Sequence, residues 1–144
     1  MAASLLFCLI VGVSDGDTLT ARCETQADRE AVTRKVRLSE IDAPEKEQLF
    51  GSRSRKHLAG LCLRKSAKLA PVSAGGGLDC YGRTVARVTC AGADANAEQV
   101  RAGLAWAFDR YVTDQSLYGE QQGARAERRG LWQDVDPIAP WEWR

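Results

Sequence analysis

One stretch decides the fold of this chain: Val36-Arg37-Leu38-Ser39-Glu40-Ile41-Asp42-Ala43-Pro44-Glu45. Its first half alternates apolar and polar residues, which is typical of a β-strand. Pro44 has no N–H to donate and therefore ends the pairing of that strand. The turn that follows would hold two carboxylates, Asp42 and Glu45, on a rigid support.

Four other segments show strand patterns on either side of this stretch. In chain order, the five predicted strands are residues 5–13, 18–23, 35–41, 67–73 and 83–90. A polar turn containing Asp15, Gly16 and Asp17 joins the first two, and a glycine suits such a tight turn. The polar residues 26–30 predict a hairpin tip, and the glycines of residues 74–77 predict a second hairpin loop.

Three helices are predicted between and after the strands. Residues 52–63 have apolar side chains at helical spacing, with serines near the start as caps. Asn96, followed by Gln99, is a capping-box pattern that predicts the start of a second helix. The third helix is expected over residues 116–129, and Gly130 would end it.

The order of these elements indicates the fold class. A meander of five strands with a helix inserted between the third and fourth is the order of a small OB-type barrel. We therefore expect an α+β fold, a five-stranded OB-type β-barrel with three helices. The 144 residues suit one domain with one core, so residues 1–144 are predicted to form a single domain.

The composition restricts the kinds of site that the chain can form. The formal net charge is only +1, so a nucleic-acid site would have to come from local clusters of basic residues. Five cysteines without CxxC spacing argue against a structural zinc site and against a complete disulfide framework. One disulfide remains open, and we expect most thiols to be free and partly buried. His57 is the only histidine, which excludes a multi-histidine metal site, and we expect it to be exposed.

Both ends of the chain contain apolar residues. Residues 2–13 are too few for a membrane span and lack a basic region before them. They are interpreted as a first strand or as the remnant of a signal peptide, and the sequence leaves both open. Three of the four tryptophans lie near the other end, and we expect them to fasten this tail to the domain.

The turns carry residues suited to phosphodiester chemistry. Asp17 and Asp42 offer hard oxygen ligands, which suit Ca²⁺ or Mg²⁺ rather than Zn²⁺. Arg37 and Arg83 can each hold phosphate oxygens through two parallel hydrogen bonds. Glu45 could then orient or deprotonate a water molecule that attacks the phosphorus.

Each of these residues also has a purely structural interpretation. Asp15 and Asp17 are common turn formers, Asp42 and Glu45 can cap a turn, and Arg37 can be their ion-pair partner. Three separate turns, however, all display residues that one phosphodiester-cleaving site needs. This coincidence favours the functional interpretation.

The chain resembles the staphylococcal nuclease family. The matching segments occur in the family's order and span nearly the whole chain; they are Asp15-Gly16-Asp17-Thr18, Arg37-Leu38 with Ile41-Asp42-Ala43-Pro44-Glu45, Tyr81-Gly82-Arg83, Asn96-Ala97-Glu98 with Val100 and Gly103-Leu104-Ala105, and Gly130-Leu131-Trp132. The resemblance implies an OB-barrel nuclease that uses Ca²⁺ to hydrolyse DNA and RNA. It further implies cleavage of the bond to the 5′ oxygen, which leaves 3′-phosphate ends.

The resemblance also implies a role for each matching residue. The metal ligands would be Asp17, Asp42 and the carbonyl of Ala43. The catalytic residues would be Arg37, Glu45 and Arg83, with Glu45 activating water. Tyr81 and Tyr111 would flank the nucleotide and stack on its bases.

Several expectations complete the prediction. We expect a monomer that acts on DNA or RNA and has no membrane partner. Relatives in this family are often exported, although residues 2–13 form no convincing signal peptide. A catalytically silent nucleic-acid-binding barrel is the alternative; such a barrel would be expected to lack part of the catalytic set. A barrel for a protein or an oligosaccharide would leave the two arginines and three carboxylates unexplained.

Overall fold

The structure, a computed structural model, describes residues 5–24, 31–72 and 78–144. Two predicted loops, the hairpin tip at residues 26–30 and the glycine-rich loop at 74–77, lie outside these residues. So do residues 2–4 of the apolar run at the start and residue 73 of the predicted fourth strand.

Five long strands close into a barrel, which confirms the predicted fold class. They are Leu6–Asp15 (β1), Thr18–Glu24 (β2), Val32–Leu38 (β3), Ser66–Pro71 (β5) and Thr84–Cys90 (β6). Neighbouring strands pair antiparallel in the order β3-β2-β1-β5-β6. A parallel pairing of β3 with β6 closes the barrel. Three two-residue strands accompany it: Ile41–Asp42 (β4), Ala93–Asp94 (β7) and Trp106–Ala107 (β8).

Buried and more exposed side chains alternate along the strands, and the buried ones form the core. In β6, every second residue from Thr84 to Cys90 is buried. In β1, Cys8 and Ile10 are buried, whereas Leu9 between them is exposed. Period-two burial is what a strand with one buried face requires. The largest fully buried apolar side chains are Ile10, Leu19, Leu38, Ile41, Leu58, Leu69 and Leu117.

Helices cover one end of the barrel. Their bounds are Gly51–Cys62 (α1), Ala95–Arg101 (α2), Ser116–Ala126 (α3) and Pro140–Trp143 (α4), with a short 3₁₀ helix at Gly130–Gln133. Leu58 and Cys62 of α1 are fully buried and belong to the main core. The first three helices correspond to the predicted ones, whereas α4 and the 3₁₀ helix are additional.

The predicted third strand, residues 35–41, is divided in the structure. β3 ends at Leu38, and Glu40 adopts a left-handed conformation with φ of 67°. Ile41 and Asp42 then pair with β8 in a separate two-stranded sheet. The left-handed residue turns the chain away from the barrel, so that Asp42 leaves the barrel sheet and lies beside it.

Two helix boundaries also differ from the prediction. The side chain of Asp94 caps α2 by accepting from the N–H of Ala97, so Asn96 is not the cap. Asn96 is instead buried, where it accepts from the N–H of Val88 at 3.0 Å. α3 ends at Ala126, and Gly130 begins the 3₁₀ helix rather than ending α3. A Cβ on Gly130 would lie 2.2 Å from the carbonyl oxygen of Gly103, so close packing requires glycine there.

Two expectations about thiols and histidine were wrong. The structure contains two disulfides, Cys8–Cys23 between paired positions of β1 and β2 and Cys62–Cys90 between α1 and β6. Only Cys80 is a free cysteine among the described residues, and it is exposed. The pairing depends on strand register and helix packing, which cysteine spacing does not reveal. His57 is half-buried because its Nδ1 contacts the amide oxygen of Gln99.

The tail is fastened by aromatic packing, as the sequence predicts. Trp141 stacks on Phe108 with ring centroids 5.1 Å apart, and its ring also meets Trp106 edge-on at 5.5 Å. Trp132 packs on the other side of Trp106 at 4.6 Å. Within the described residues, no helix is long and apolar enough to cross a membrane.

Candidate active site

Asp17 lies at the turn between β1 and β2 and faces the segment that follows β4. Its Oδ2 accepts a hydrogen bond from the backbone N–H of Ala43 at 2.8 Å, and its Oδ1 accepts from the hydroxyl of Thr18 at 3.0 Å. The turn before it is tightly packed, because a Cβ on Gly16 would lie 1.7 Å from the Ser54 hydroxyl oxygen. The carboxylate is therefore held in one place.

Asp42 lies behind Asp17, and Arg37 joins the two carboxylates. Arg37 Nη1 is 3.4 Å from Asp17 Oδ2, and Arg37 Nη2 is 3.2 Å from Asp42 Oδ1. The same guanidinium donates to the carbonyl oxygens of Leu38 at 2.7 Å and Ile41 at 2.9 Å. Arg37 thus fixes the break between β3 and β4 as well as the carboxylate pair.

Burial makes the ionised form of the Asp42 carboxylate energetically unfavourable. Its side chain is 0% exposed, and burial raises the pKa of Asp42 to about 6, although hydrogen bonding and charge from Arg144 and Arg37 oppose that rise. Its Oδ2 is buried without a hydrogen-bond partner among the described residues. A buried anionic oxygen without a partner is destabilising, and a bound cation would satisfy it.

The donor set fits a hard divalent cation. Asp17 and Asp42 offer carboxylate oxygens, and the carbonyl of Ala43 lies in the segment that the Asp17 hydrogen bond fixes. Oxygen donors of this kind suit Ca²⁺ or Mg²⁺. Across residues 5–24, 31–72 and 78–144, no three side chains of His, Cys, Asp or Glu are grouped closely enough to form a metal cage by themselves. Carbonyl oxygen and water would have to complete the coordination.

Asp15 is a further carboxylate at this end of the cleft. Burial raises the pKa of Asp15, and the negative charges of Asp17 and Glu45 raise it further. A cation or a substrate-bound cation nearby would relieve this repulsion. The carboxylate of Asp15 thus adds to the negative charge that a cation at this end of the cleft would balance.

Glu45 follows Pro44 and is exposed to the cleft. Its backbone N–H donates to the Gln48 side-chain oxygen at 3.1 Å. One carboxylate oxygen contacts Nε of Arg144, and Arg144 Nη2 lies 2.5 Å from Asp42 Oδ1. The final residue of the sequence therefore lies between the proposed base and a proposed metal ligand.

Arg83 and Tyr81 also line the cleft. Arg83 Nε donates to Asp79 Oδ2 at 2.7 Å, and its guanidinium lies 5.3 Å from the centre of the Tyr81 ring. Although burial acts to raise it, hydrogen bonds from Arg83 and from the Tyr81 backbone hold the pKa of Asp79 below its usual value. The ionised Asp79 fixes Nε of Arg83 and leaves the other end of the guanidinium for a ligand.

Tyr111 lies on a loop that Glu40 holds in place. Glu40 accepts hydrogen bonds from the backbone N–H groups of Thr113 at 2.6 Å and Asp114 at 2.7 Å. Arg87 joins the same group through ion pairs with Glu40 at 3.2 Å and Asp114 at 3.1 Å. Tyr111 is 55% exposed and Tyr81 is 80% exposed, so both rings are accessible to a nucleotide base.

One cleft of about 810 Å³ joins these parts. It is lined by the predicted residues Asp17, Arg37, Glu45, Tyr81, Arg83 and Tyr111, together with Asp15, Asp79, Arg110 and Arg144. The predicted ligands Asp42 and Ala43 are buried beside it. Sequence reasoning missed Arg144 and Asp79. The tryptophans before Arg144 were the only signal for it, and Asp79 could have been suspected from its position four residues before Arg83.

Comparisons with known proteins show the family to which the chain is similar. A family profile described as "Staphylococcal nuclease homologue" matches residues 35–134. The chain is 44% identical over 137 residues to an "Uncharacterized endonuclease" of Haemophilus influenzae, covering 95% of this chain and 72% of that protein. It is 40% identical over 136 residues to an "Uncharacterized endonuclease" of Escherichia coli O157:H7, covering 94% and 82%. It is 37% identical over 146 aligned positions to a "Micrococcal nuclease" of Shigella flexneri, covering 94% and 78%.

Proposed function

The chain belongs to the staphylococcal nuclease family and is a nuclease, and we propose that it is a Ca²⁺-dependent enzyme that hydrolyses both DNA and RNA. In this proposal, water attacks the phosphorus and the bond to the 5′ oxygen breaks. The products are a 3′-phosphate end and a 5′-hydroxyl end. No 2′-hydroxyl takes part, so both sugars are acceptable.

One observation carries the calcium part of the proposal. Among the residues that the structure describes, no group forms a hydrogen bond with the buried Oδ2 of Asp42, and Arg37 links this carboxylate to Asp17 at the cleft that contains Glu45. A structural ion pair alone would be expected to satisfy such an oxygen. When bound by Asp17, Asp42 and the Ala43 carbonyl, Ca²⁺ would supply positive charge to the phosphate oxygens.

The side chains of the cleft supply the remaining chemistry. Glu45 would take a proton from the attacking water, since it lines the cleft and, while Arg144 contacts its Oε1, no hydrogen bond from a described residue reaches its Oε2. Arg83 would stabilise charge that develops on the phosphate and on the leaving 5′ oxygen. Arg37 would hold the two carboxylates at a fixed separation and neutralise part of their charge.

Two exposed tyrosines suit a substrate without sequence preference. Tyr81 and Tyr111 line the cleft, and stacking of an aromatic ring on a base tolerates any base. The guanidinium of Arg110 lies 5.4 Å from the Tyr111 ring centre, which adds positive charge near that ring. These features favour a single-stranded or locally opened substrate.

The proposal is tested by cleavage of labelled single-stranded DNA, double-stranded DNA and RNA with Ca²⁺, with Mg²⁺ and with chelator. Glu45→Gln serves as the control for contaminating nuclease. Cleavage that requires Ca²⁺ and disappears in the variant supports the proposal and ranks the substrates. If the wild type binds the polymers and cuts none of them, the silent nucleic-acid-binding barrel replaces it.

We also propose that the protein works in an oxidising compartment outside the cytoplasm. The support is the pair of disulfides, Cys8–Cys23 and Cys62–Cys90, because such bonds persist mainly in exported proteins. Protein isolated from its native cells under denaturing, non-reducing conditions should show one reactive thiol, that of Cys80. Detection of five thiols would contradict this proposal.

A further inference from the structure

The tail of the chain, residues 134–144, is fastened to the part of the fold that carries Asp42. Trp141 stacks on Phe108 at 5.1 Å and meets Trp106 at 5.5 Å. Trp106 is paired directly with Asp42 in the sheet formed by β4 and β8. The end of the chain is thereby held at a fixed distance from the candidate metal site.

A second attachment joins the tail to the loop that carries Glu45. The side-chain nitrogen of Gln48 donates to the carbonyl oxygen of Ile138 at 2.7 Å, while its side-chain oxygen accepts from the N–H of Glu45 at 3.1 Å. One side chain therefore links the tail to the backbone of the proposed base. The two attachments together direct the end of the tail into the cleft.

The tail places Arg144 in the cleft. It lines the cleft, its side chain is 43% exposed, and it forms ion pairs with both Glu45 and Asp42. Within the part of the chain that the structure describes, its Nε and Nη2 have partners, and none of the described residues accepts a hydrogen bond from Nη1. This guanidinium therefore retains donors for a ligand.

The two arginines of the site that the sequence predicts, Arg37 and Arg83, differ in how many donors they retain. Arg37 is only 13% exposed, and its Nη1 already donates to the carbonyl oxygens of Leu38 and Ile41. Arg83 uses Nε for Asp79 and is 30% exposed. Of Arg37, Arg83 and Arg144, the last two thus retain more donors for a ligand, and Arg144 is the one beside Glu45.

We propose that Arg144 is a third arginine of the nuclease site, and that it binds the phosphate group being cleaved from the side of Glu45. The inference rests on the proposed nuclease function. A phosphate offers the guanidinium the same kind of anionic oxygen that it contacts in Glu45 and Asp42, and it can accept two parallel hydrogen bonds. In the protein without substrate, the two carboxylates hold Arg144 in the cleft.

Transfer of Arg144 to the phosphate also frees the base. The Glu45 oxygen that contacts Nε of Arg144 in the protein without substrate then becomes available to bind and orient the attacking water. Arg144 itself neither gains nor loses a proton in this scheme.

Binding is the first test, because it does not require turnover. The variants are Arg144→Ala, Arg144→Lys and Arg101→Ala; Arg101 lies on α2, is 46% exposed and pairs with Glu98 and Glu120 away from the cleft. The probe is a short single-stranded phosphorothioate oligonucleotide, titrated over a range of salt concentrations with chelator and with Ca²⁺. Arg144→Ala should reduce the slope of log K against log salt by about 0.7, as expected for one lost phosphate contact on a single strand. Arg101→Ala should keep the wild-type slope.

Cleavage of the ordinary oligonucleotide with Ca²⁺ is the second test. Arg144→Ala should lower kcat/KM by about ten- to a hundredfold, which corresponds to the loss of a charged hydrogen bond. Arg144→Lys should recover part of it, since the charge remains but the two parallel bonds do not. Thermal unfolding of each variant checks that the fold is unchanged.

The outcomes separate this inference from the proposed function. If Arg144→Ala equals Arg101→Ala in salt slope and in kcat/KM, the inference is wrong. If Arg144→Ala is more active than the wild type, the arginine only blocks the cleft and the inference is also wrong. A wild type that binds but does not cleave would refute the proposed hydrolysis, and the salt slopes would still decide the role of Arg144. A wild type that binds no oligonucleotide would refute both.

Discussion

The carboxylate of Asp17 accepts a hydrogen bond from the backbone N–H of Ala43 at 2.8 Å, so the turn after β1 and the segment after β4 are locked together. Because of this contact, substitutions of Asp17 can distinguish an effect on metal binding from an effect on stability. Asp17→Asn keeps an oxygen for the Ala43 N–H but removes the charge, so it should abolish measurable Ca²⁺ binding while keeping nearly wild-type stability. Asp17→Ala should lose Ca²⁺ binding and also about 1–3 kcal/mol of unfolding free energy, because a buried N–H loses its acceptor.

Calorimetric titration with Ca²⁺ and urea unfolding without metal measure these two effects. The pair of variants is decisive because both remove the ligand charge and only one removes the hydrogen bond. Unchanged Ca²⁺ affinity in Asp17→Asn would remove Asp17 from the metal site.

Arg83 should act mainly in the transition state. Its guanidinium is fixed by Asp79 and lines the same cleft as Glu45. Arg83→Ala is expected to lower kcat by about a hundred- to a thousandfold, as for the loss of a donor to developing negative charge. Steady-state kinetics over a wide range of substrate concentrations measures this. A change confined to KM would assign Arg83 to substrate positioning alone.

Tyr111 should contribute to affinity and not to the chemical step. Its ring is exposed and packs edge-on against Phe108 at 5.1 Å, which leaves a face for a base. Tyr111→Leu should weaken oligonucleotide binding by about five- to a hundredfold, the usual effect of losing one stacked base. Tyr111→Phe keeps the ring and serves as the control. Fluorescence anisotropy measures the affinities, and equal loss in both variants would show that the hydroxyl, rather than stacking, is used.

Glu40 should make stability depend on pH. Burial acts to raise its pKa, but hydrogen bonds from Asp114 and Thr113 and the charge of Arg87 outweigh it, so the pKa of Glu40 lies below its usual 4.5. The unfolded chain then binds a proton more readily than the folded one, so this contribution is complete above pH 4.5 and is lost as the pH falls through the lower pKa of the folded state. Glu40→Gln should be less stable than wild type at pH 7, and the difference should shrink below pH 4.5.

Urea unfolding of wild type and Glu40→Gln across this range measures that difference. A stability difference that stays constant from pH 7 to acid would show that the Glu40 charge is not involved. Such a result would assign the link between Glu40 and the Tyr111 loop to hydrogen bonding and packing that do not depend on the charge.

Each disulfide should contribute to the unfolding free energy, whereas the free cysteine should not. The Cys62–Cys90 bond spans 28 residues of sequence and the Cys8–Cys23 bond spans 15. Replacing Cys62 and Cys90 together by Ala should cost about 3–4 kcal/mol of unfolding free energy, and replacing Cys8 and Cys23 should cost about 3 kcal/mol. Cys80→Ser should leave stability unchanged, because that cysteine is exposed and free. Equal stability of all three variants under non-reducing conditions would show that the bonds do not form.

Much of the fold and the site could be predicted because the signals are local. Alternation in β3 and β6 and the proline after Asp42 identify strands and the turn that ends them. Asp17, Glu45 and Arg83 each stand at such a turn, and barrel closure brings their turns to one cleft. Local pattern and strand order were therefore sufficient for these positions.

The remaining features depend on contacts between distant residues. Arg144 is 99 residues from Glu45 in sequence, and it reaches the cleft because Trp141 packs on Phe108 and Gln48 binds the Ile138 carbonyl. The disulfide between Cys8 and Cys23 requires their pairing in register across two strands. The early end of β3 depends on a left-handed residue that is not glycine, Glu40, and side-chain type gives little warning of that.

The most direct test of the central claim is to cleave a defined oligonucleotide in ¹⁸O-labelled water with Ca²⁺ and to identify the product ends by mass spectrometry. We predict that wild-type protein yields a 5′-hydroxyl fragment and a 3′-phosphate fragment that carries one ¹⁸O atom, and that Glu45→Gln yields neither above background. Products with 5′-phosphate and 3′-hydroxyl ends, or equal cleavage by Glu45→Gln, would contradict the proposed mechanism.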